Sequence, residues 1–405
     1  MEHARAVALV VAVWAGTSGL IAGSGGSPVA PPLRGDRPAA SAVPRGRVEA
    51  LESALRNRAG QITFTPISGY LPGLLDALHV SPTSQVAVFS RTSAQTNLIS
   101  PENPRVIYFS DDVAVGWVRG SSVIEVAAFD SHDGAVFYTV DQDAAVPPRF
   151  TRNDHCRTCH ESGNTLGVPG LLVLSTPEAY GAGANLHGSM TDHRTLLSER
   201  WGGWYVTGLS RGWKHLGNRV GQGWLASLYD QFDDIGYPTQ YSDVVALMIL
   251  EHMAHMTNLM TRLGRQVEAA GDVTADVRHT VDELVDYMLF VDEAPLPGPI
   301  VATSGYAEYF SGLGPRDSRG RSLRDLDLRQ RLFRYPCSYM IYSPAFDALP
   351  AMAKDAVFAR LVRTLSSREN DETHGALSND MRKAVLEILS ETKPEFLRFR
   401  LGRRT

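Results

Sequence analysis

The sequence predicts an α+β fold, in which an antiparallel, β-rich N-terminal part at residues 48–150 packs on a mainly helical part at residues 151–397. Two patterns predict this class. Short runs of β-branched and aromatic residues recur between residues 85 and 140, with turn residues between them. From about residue 240 the apolar residues instead follow the 3.6-residue period of helices.

The N-terminus precedes the fold and has the pattern of a secretion signal. An apolar run at residues 6–15 follows a short polar start, and small residues follow at 23–26. Because the run is too short to cross a bilayer, a signal peptide at residues 1–26 is favoured over an uncleaved anchor. Residues 27–47 are rich in Pro, Gly and Ser and predict a flexible linker. We therefore expect an exported, periplasmic protein without an integral membrane segment in its mature chain.

The β-rich part is expected to begin with helices near residues 48–57 and 69–79. About five strands follow, in the segments QVAVFS, RVIYFS, VAVGWV, VIEVAAF and AVFYTV. Turn residues such as Asp111, Gly120 and Gly134 separate these segments. Closely spaced strands joined by such turns predict an antiparallel sheet.

The helical part contains a long helix that Ser242 is predicted to cap and that ends near Gly271. Further helices are expected at residues 275–292 and 344–365, and from Ser378 to residue 392, before Pro394. The arginine-rich end at 398–405 is interpreted as a solvated basic tail. Residues 141–240 have little periodicity, and long irregular segments of this kind are usually functional.

The composition narrows the function classes. A hydrophobic content of 43% and a charged content of 20% are typical of soluble globular proteins. The formal net charge of −5 gives no electrostatic reason to expect a nucleic-acid partner. The chain has three cysteines, an odd number that indicates a use other than disulfides for at least some of them.

Two of these cysteines lie in the string Cys156-Arg157-Thr158-Cys159-His160, which is the C-x-x-C-H pattern of c-type haem attachment. Thiols three positions apart on one helical turn can reach the two vinyl groups of a porphyrin. The adjacent histidine can then bind the iron axially. The pattern predicts one covalent haem c, with His160 as the proximal iron ligand.

Two other interpretations of this string remain. A zinc site could combine Cys156 and Cys159 with His155 or His160 and a distant Cys337, although no second close ligand pair follows. A disulfide between Cys156 and Cys159 would suit a thioredoxin-like motif, but no βαβ pattern surrounds the string. Haem is therefore favoured, and Cys337 is interpreted as a buried free thiol.

The sixth iron ligand is less sharply defined by the sequence. Met190 and His193 follow the motif at about 30 residues, a spacing that suits a single-haem cytochrome. His215 is the next candidate, and residues of the long helix or an open position remain as alternatives. The helix residues Glu251, His252 and His255 do not have the spacing of a zinc or di-iron motif, which favours histidines beside the core.

An aromatic string follows these candidates. Trp201, Trp204 and Tyr205 could cover a porphyrin face, while Arg200 reaches a propionate. The alternative is a small aromatic core with a surface arginine.

Several longer strings resemble a family. They are FSRTS at 89–93, PRVIYF at 104–109, FYT at 137–139, the C-x-x-C-H motif, TDH at 191–193, residues 200–208, HLGN at 215–218, GPRDS at 314–318 and LFRYPCSYMIY at 332–342. Over residues 84–397 the chain resembles exported bacterial single-haem proteins of the cytochrome c type, a family without an assigned reaction. The resemblance implies haem binding and export, but no substrate. Because His193 and His215 lie within these strings and Met190 does not, it favours a histidine as sixth ligand.

Three functions are compatible with these observations. The first is single-electron transfer between the haem and a redox partner protein. The second is a haem enzyme resembling a peroxidase or an oxidase, which needs an open iron position and a distal acid–base group. The third is a haem-containing sensor or scaffold. Electron transfer is favoured because the sequence identifies attachment residues and no catalytic residue.

Overall fold

The computed structural model describes residues 46–56, 62–176, 188–208, 212–219, 223–367 and 377–402. The predicted signal peptide and nearly all of the predicted linker lie outside these residues. The β-rich and helical parts belong to one compact unit. The predicted α+β class is confirmed, since an antiparallel sheet is combined with several helices.

The main sheet has seven antiparallel strands in the order β6-β5-β4-β3-β2-β1-β9. Its strands are β1 (Val86–Val88), β2 (Arg105–Phe109), β3 (Val113–Trp117), β4 (Val123–Asp130), β5 (Gly134–Asp141), β6 (Phe150–Arg152) and β9 (Trp204–Tyr205). A separate pair consists of β7 (Leu174–Ser175) and β8 (Ser189–Met190). The five predicted strands are confirmed as β1–β5. The structure adds β6 and β9, which are too short to show a two-residue period.

The two faces of the sheet differ in burial. One face, which includes Val106, Val115 and Val126, is buried in a core with residues from α1 (Arg47–Arg56) and α2 (Leu71–Ala77). Successive β4 residues alternate between half-buried and buried, so that the opposite face is only partly covered. This half-covered face carries Arg105, Ile107, Ala114, Gly116, Glu125, Ala127, Phe129, Phe137 and Thr139.

Eight further helices follow strands β1–β6 in the described part of the chain. They are α3 (Arg157–His160), α4 (Val244–Ala270), α5 (Ala275–Met288), α6 (Tyr306–Gly312), α7 (Pro344–Asp347), α8 (Ala351–Ser366), α9 (Asn379–Thr392) and α10 (Pro394–Gly402). Most of α4 is buried, because the sheet edge and several helices pack around it. A helix that is apolar on nearly all sides belongs in the interior, and α4 is the centre of the larger core.

The predicted N-cap of α4 is wrong by one residue. The Asp243 carboxylate accepts hydrogen bonds from the amides of Val245 and Ala246 and caps the helix. The hydroxyl of Ser242 instead donates to the carbonyl of Tyr205 at 2.5 Å. Serine and aspartate are both favoured caps, so the local sequence does not distinguish them. The predicted end at Gly271 is confirmed, with φ of 65° at this glycine.

Two predictions near the C-terminus, the helix over residues 344–365 and the solvated tail from residue 398, are wrong in part. The single helix predicted over residues 344–365 is divided into α7 and α8, and Pro350 lies immediately before α8. Proline disfavours helical backbone in the residue before it, which explains the break. The helix predicted from Ser378 to residue 392 is confirmed as α9, and Ser378 caps it. It is not the last helix, because Pro394 begins α10, a position that proline tolerates well. Residues 398–402 of the predicted tail are therefore helical. Within the described part of the chain, no helix is long and apolar enough to cross a membrane.

Candidate functional site

The C-x-x-C-H string lies directly after β6, on a tight turn that leads into the short helix α3. The Asn153 side chain accepts a hydrogen bond from the amide of His155 at 3.2 Å and begins this turn. Cys156 and Cys159 are both free and half-buried. The local fold therefore presents two thiols three positions apart, followed at once by His160.

One ring nitrogen of His160 is fixed by the backbone. Its Nδ1 lies 2.9 Å from the carbonyl oxygen of Gly170, and a carbonyl can only accept a hydrogen bond. Nδ1 therefore carries the proton, and Nε2 keeps the lone pair that binds a metal. Burial lowers the pKa of His160, which favours the neutral imidazole. The ring also packs on Phe137, with 4.6 Å between the ring centroids.

The loop that holds His160 is anchored to α4. The Asn258 side chain bonds both backbone groups of Leu171, at 2.9 Å in each case. A side chain at Gly170 would place its Cβ 2.2 Å from Oδ1 of Asn258, so this position requires glycine. The orientation of His160 therefore depends on a contact between two distant parts of the chain.

An ion pair on the half-covered face lies close to the motif. Arg105 and Glu125 are 2.6 Å apart, and neither side chain is more than one fifth exposed. Burial raises the pKa of the Cys156 thiol, the Glu125 carboxylate raises it further, and Arg105 opposes the rise. The same pair acts on the pKa of His160 in the same directions, with Arg105 lowering it and Glu125 raising it. The motif and this ion pair are therefore electrostatic neighbours.

Met190 lies on β8, where it pairs with Leu174 and is half-buried. It lines an open cleft of about 640 Å³ that also includes Asp192, Arg194 and the exposed Leu196. The Asp192 carboxylate bonds the Arg194 guanidinium at 2.6 Å, which lowers the pKa of that carboxyl. Met190 therefore lies in a mixed polar and apolar cleft.

His193 belongs to a buried cluster beside α4. Its Nδ1 lies 3.1 Å from Nδ1 of His252, and its ring packs on Tyr287 with 4.1 Å between the centroids. Nε2 of His193 is buried and has no hydrogen-bond partner among the described residues. The pKa of His193 is well below its usual value, because the ring is buried and His252 lies beside it.

Both ring nitrogens of His215 make hydrogen bonds within the protein. Nε2 donates to the carbonyl of Gly223 at 2.9 Å, and Nδ1 accepts from the amide of Gly217 at 3.0 Å. Iron ligation by His215 would break one of these bonds. Among the described residues, no hydrogen bond or ring contact joins His160 to Met190, His193 or His215. The choice of sixth ligand stays a prediction.

The aromatic string after Glu199 is part of the core. Arg200 is 1% exposed and pairs with the buried Glu251 at 3.1 Å, so the structure gives it a carboxylate partner within the protein. The indole of Trp201 donates to the same carboxylate at 3.0 Å. Burial raises the pKa of Glu251 to about 7, while Arg200 opposes the rise. The structure agrees with the aromatic-core interpretation, except that the arginine is buried, and it does not support a propionate contact.

Comparisons with models of protein families, with curated proteins and with solved structures find no match to this chain. The cytochrome-type resemblance therefore rests on the strings quoted above.

Cys337 is a buried free cysteine, as predicted, and burial raises the pKa of its thiol to about 12. Sequence reasoning missed the residues that support His160, because Phe137, Gly170 and Asn258 lie far apart in the chain. Only Gly170 offered a signal, since a glycine close to a motif indicates a close backbone approach.

Proposed function

We propose that this exported protein binds one haem c covalently through Cys156 and Cys159, with His160 as proximal ligand. In this proposal it transfers single electrons to or from a redox partner protein. The observation that carries the proposal is the bond between Nδ1 of His160 and the Gly170 carbonyl. It leaves Nε2 unprotonated beside two free thiols of the correct spacing.

The donor set suits haem better than zinc. A structural zinc site requires four ligands, and among the described residues no group of three His, Cys, Asp or Glu side chains is placed to hold a metal ion. Cys337, the remaining thiol, is completely buried within the helical core. Haem attachment needs no further protein thiol. A disulfide of the thioredoxin-like kind is also disfavoured, because the string follows a strand of an antiparallel sheet and does not belong to a βαβ unit.

The residues around His160 suit electron transfer. When bound, the haem iron supplies a centre that alternates between the ferrous and ferric states. Gly170 holds the imidazole in one orientation, and Asn258 holds the loop that contains Gly170. A ligand fixed in this way changes little between the two states. The ring contact with Phe137 adds an apolar neighbour and no acid–base group.

Attachment is tested with protein made in a host that matures c-type cytochromes. After denaturation, the wild-type chain should retain haem and gain the mass of one haem. The Cys156→Ala, Cys159→Ala double variant should lose both, whereas the matched Cys337→Ala variant should keep them. Covalent haem in the double variant would contradict the assignment.

The reaction class is tested by the visible spectrum of the reduced protein with and without carbon monoxide. A filled sixth position should leave the spectrum unchanged on addition of carbon monoxide, which is the result expected for electron transfer. Fast binding of carbon monoxide would contradict that role and would favour a haem enzyme or sensor.

A further inference from the structure

The helix α10 is apolar on two faces. Phe396 is completely buried and Phe399 is half-buried, and both rings pack on Phe358 of α8. Leu397 and Leu401 are instead exposed, over 38% and 53% of their surfaces. Because residues four positions apart share one face of a helix, the two leucines form an apolar stripe that the described part of the chain leaves open.

Arginines flank this leucine stripe. Arg398 follows Leu397 by one position, and Arg400 precedes Leu401 by one position. With 3.6 residues in each turn, the two arginines therefore lie on opposite sides of the stripe. Arg398 is exposed, whereas Arg400 is half-buried and donates a hydrogen bond to the hydroxyl of Ser390 at 2.5 Å.

The charge around α10 is opposite in sign to that of the whole chain. Residues 394–405 contain four arginines and one glutamate, whereas the chain has a formal net charge of −5. The glutamate, Glu395, lies 3.6 Å from Lys354 and 3.8 Å from Lys393. Among the described residues, no carboxylate forms an ion pair with Arg398 or Arg400. The exposed leucines therefore lie in a local excess of positive charge.

An anionic lipid surface suits this combination of groups. Helices that lie in the interface of a bilayer insert their apolar side chains below the headgroups. The long side chains of arginines beside them can reach the phosphates. Because each arginine near an anionic surface adds its own attraction, binding of this kind does not require a large contact area.

A protein partner suits the stripe less well. A stable protein interface buries at least about 1,000 Å², which is far more than two partly exposed leucines can supply. In a dimer formed through α10, the arginines of the two copies would also face each other and repel.

We propose that the outer face of α10 binds an anionic phospholipid membrane, with Leu397 and Leu401 inserted among the headgroups and Arg398 and Arg400 beside the phosphates. The helix has nine residues and lies on the membrane without crossing it. The inference does not depend on the haem, and it goes beyond the proposed function by assigning the protein to a membrane surface.

Binding is tested by sedimentation of the protein with vesicles. The wild type should bind vesicles of phosphatidylcholine with phosphatidylglycerol, and added salt should release it. Pure phosphatidylcholine should bind it at least severalfold more weakly. The Leu397→Gln, Leu401→Gln double variant should bind the anionic vesicles severalfold more weakly than the wild type. Arg398→Gln should bind them about fivefold more weakly.

The matched controls are Leu196→Gln and Arg278→Gln. Leu196 is 53% exposed, like Leu401, and Arg278 is an exposed residue of α5. Both controls should bind the anionic vesicles as the wild type does. All the variants carry the same N-terminal segment, so a difference between them reports on α10. Equal midpoints of denaturant unfolding would verify that the fold of each variant is intact.

Three results would overturn the proposal. The first is a wild-type protein that does not bind the anionic vesicles. The second is equal binding by the α10 variants and the controls, because another surface would then contact the lipid. The third is a dimer that forms without vesicles and is lost in the leucine double variant, which would assign the stripe to a second copy of the chain.

Discussion

His160 shows how much of a candidate metal ligand depends on one backbone contact. Its imidazole is held by the carbonyl of Gly170, a residue that no larger side chain can replace without moving Asn258. The C-x-x-C-H string could be identified from the sequence alone. The support of its histidine could not, because Gly170 and Asn258 meet only after the chain has folded.

Replacement of Gly170 by a larger residue should therefore destabilise the folded protein. In Gly170→Ala the new Cβ would overlap the Asn258 side chain, and we expect a loss of about 1–3 kcal/mol in the free energy of unfolding. Denaturant unfolding measures this loss. Gly163→Ala is the control, since a Cβ there meets no atom within 4 Å. Equal stability of the two variants would show that the loop does not depend on this glycine.

The sixth ligand can be identified by substitution. We expect either Met190→Ala or His193→Ala, but not both, to give a reduced protein that binds carbon monoxide readily, as the visible spectrum would show. His193→Ala should also lower the free energy of unfolding by about 1–3 kcal/mol, because His252 loses a buried partner. If neither variant binds carbon monoxide, both candidates are wrong and His215 is the next to test.

His255 predicts a pH dependence of stability. Burial lowers its pKa from 6.5 to about 4, with Asp192 opposing and Arg194 adding to the shift. Between pH 4 and pH 6.5, His255 therefore binds a proton in the unfolded chain but not in the folded chain. The contribution of His255 to the free energy of unfolding is fully present above pH 6.5. It is lost as the pH falls towards 4, and the loss reaches up to about 3 kcal/mol. His255→Asn should flatten the stability profile in this window, whereas the exposed His279→Asn should not.

At the scale of elements, the strands with the longest patterns were the easiest to predict from the sequence. Strands β2–β5 have at least five residues and show their alternation in the sequence. Strand β9 has two residues and forms because its backbone pairs with that of β1. A pairing between distant segments leaves no pattern in the local sequence. Ser242 and Asp243 illustrate the same limit, since tertiary contacts with Tyr205 decide which of the two caps α4.

The cap of α4 gives a prediction of its own. Asp243 binds two helix amides and also the hydroxyl of Ser304 at 2.6 Å. Asp243→Ala should lower the free energy of unfolding by about 1–2 kcal/mol, measured by chemical denaturation. Asp243→Asn keeps an acceptor for the amides and should retain most of the stability. An equal loss in both variants would show that the charge matters more than the cap.

At the scale of the whole molecule, the sequence predicted the fold class, which the structure confirms, but it could not predict the half-covered face of the sheet. The half-covered face brings together Arg105, Ala127 and Phe137, from three strands. None of these residues stands out in the sequence of its own strand. They share one surface only because the register of the strands places them on the same face. Arg200 was chosen from its aromatic neighbours, and the structure shows that those neighbours belong to the core.

Export can be tested directly. The short apolar run predicts that the mature chain begins between about residues 23 and 34 and is soluble in the periplasm. N-terminal sequencing of the periplasmic fraction measures the start. An intact N-terminus recovered from washed membranes would show that the segment is an anchor.

The pairing of β1 with β9 has a consequence for the order of events in biogenesis. These strands are hydrogen-bonded neighbours although roughly a hundred residues separate them, and such distant pairings form late in folding. Cys156 and Cys159 lie between them in the sequence. If the chain is exported from its N-terminus and binds haem as proposed, both thiols are delivered before the sheet can be completed. The enzymes that attach the haem would then meet an open chain, and the sheet would close after attachment.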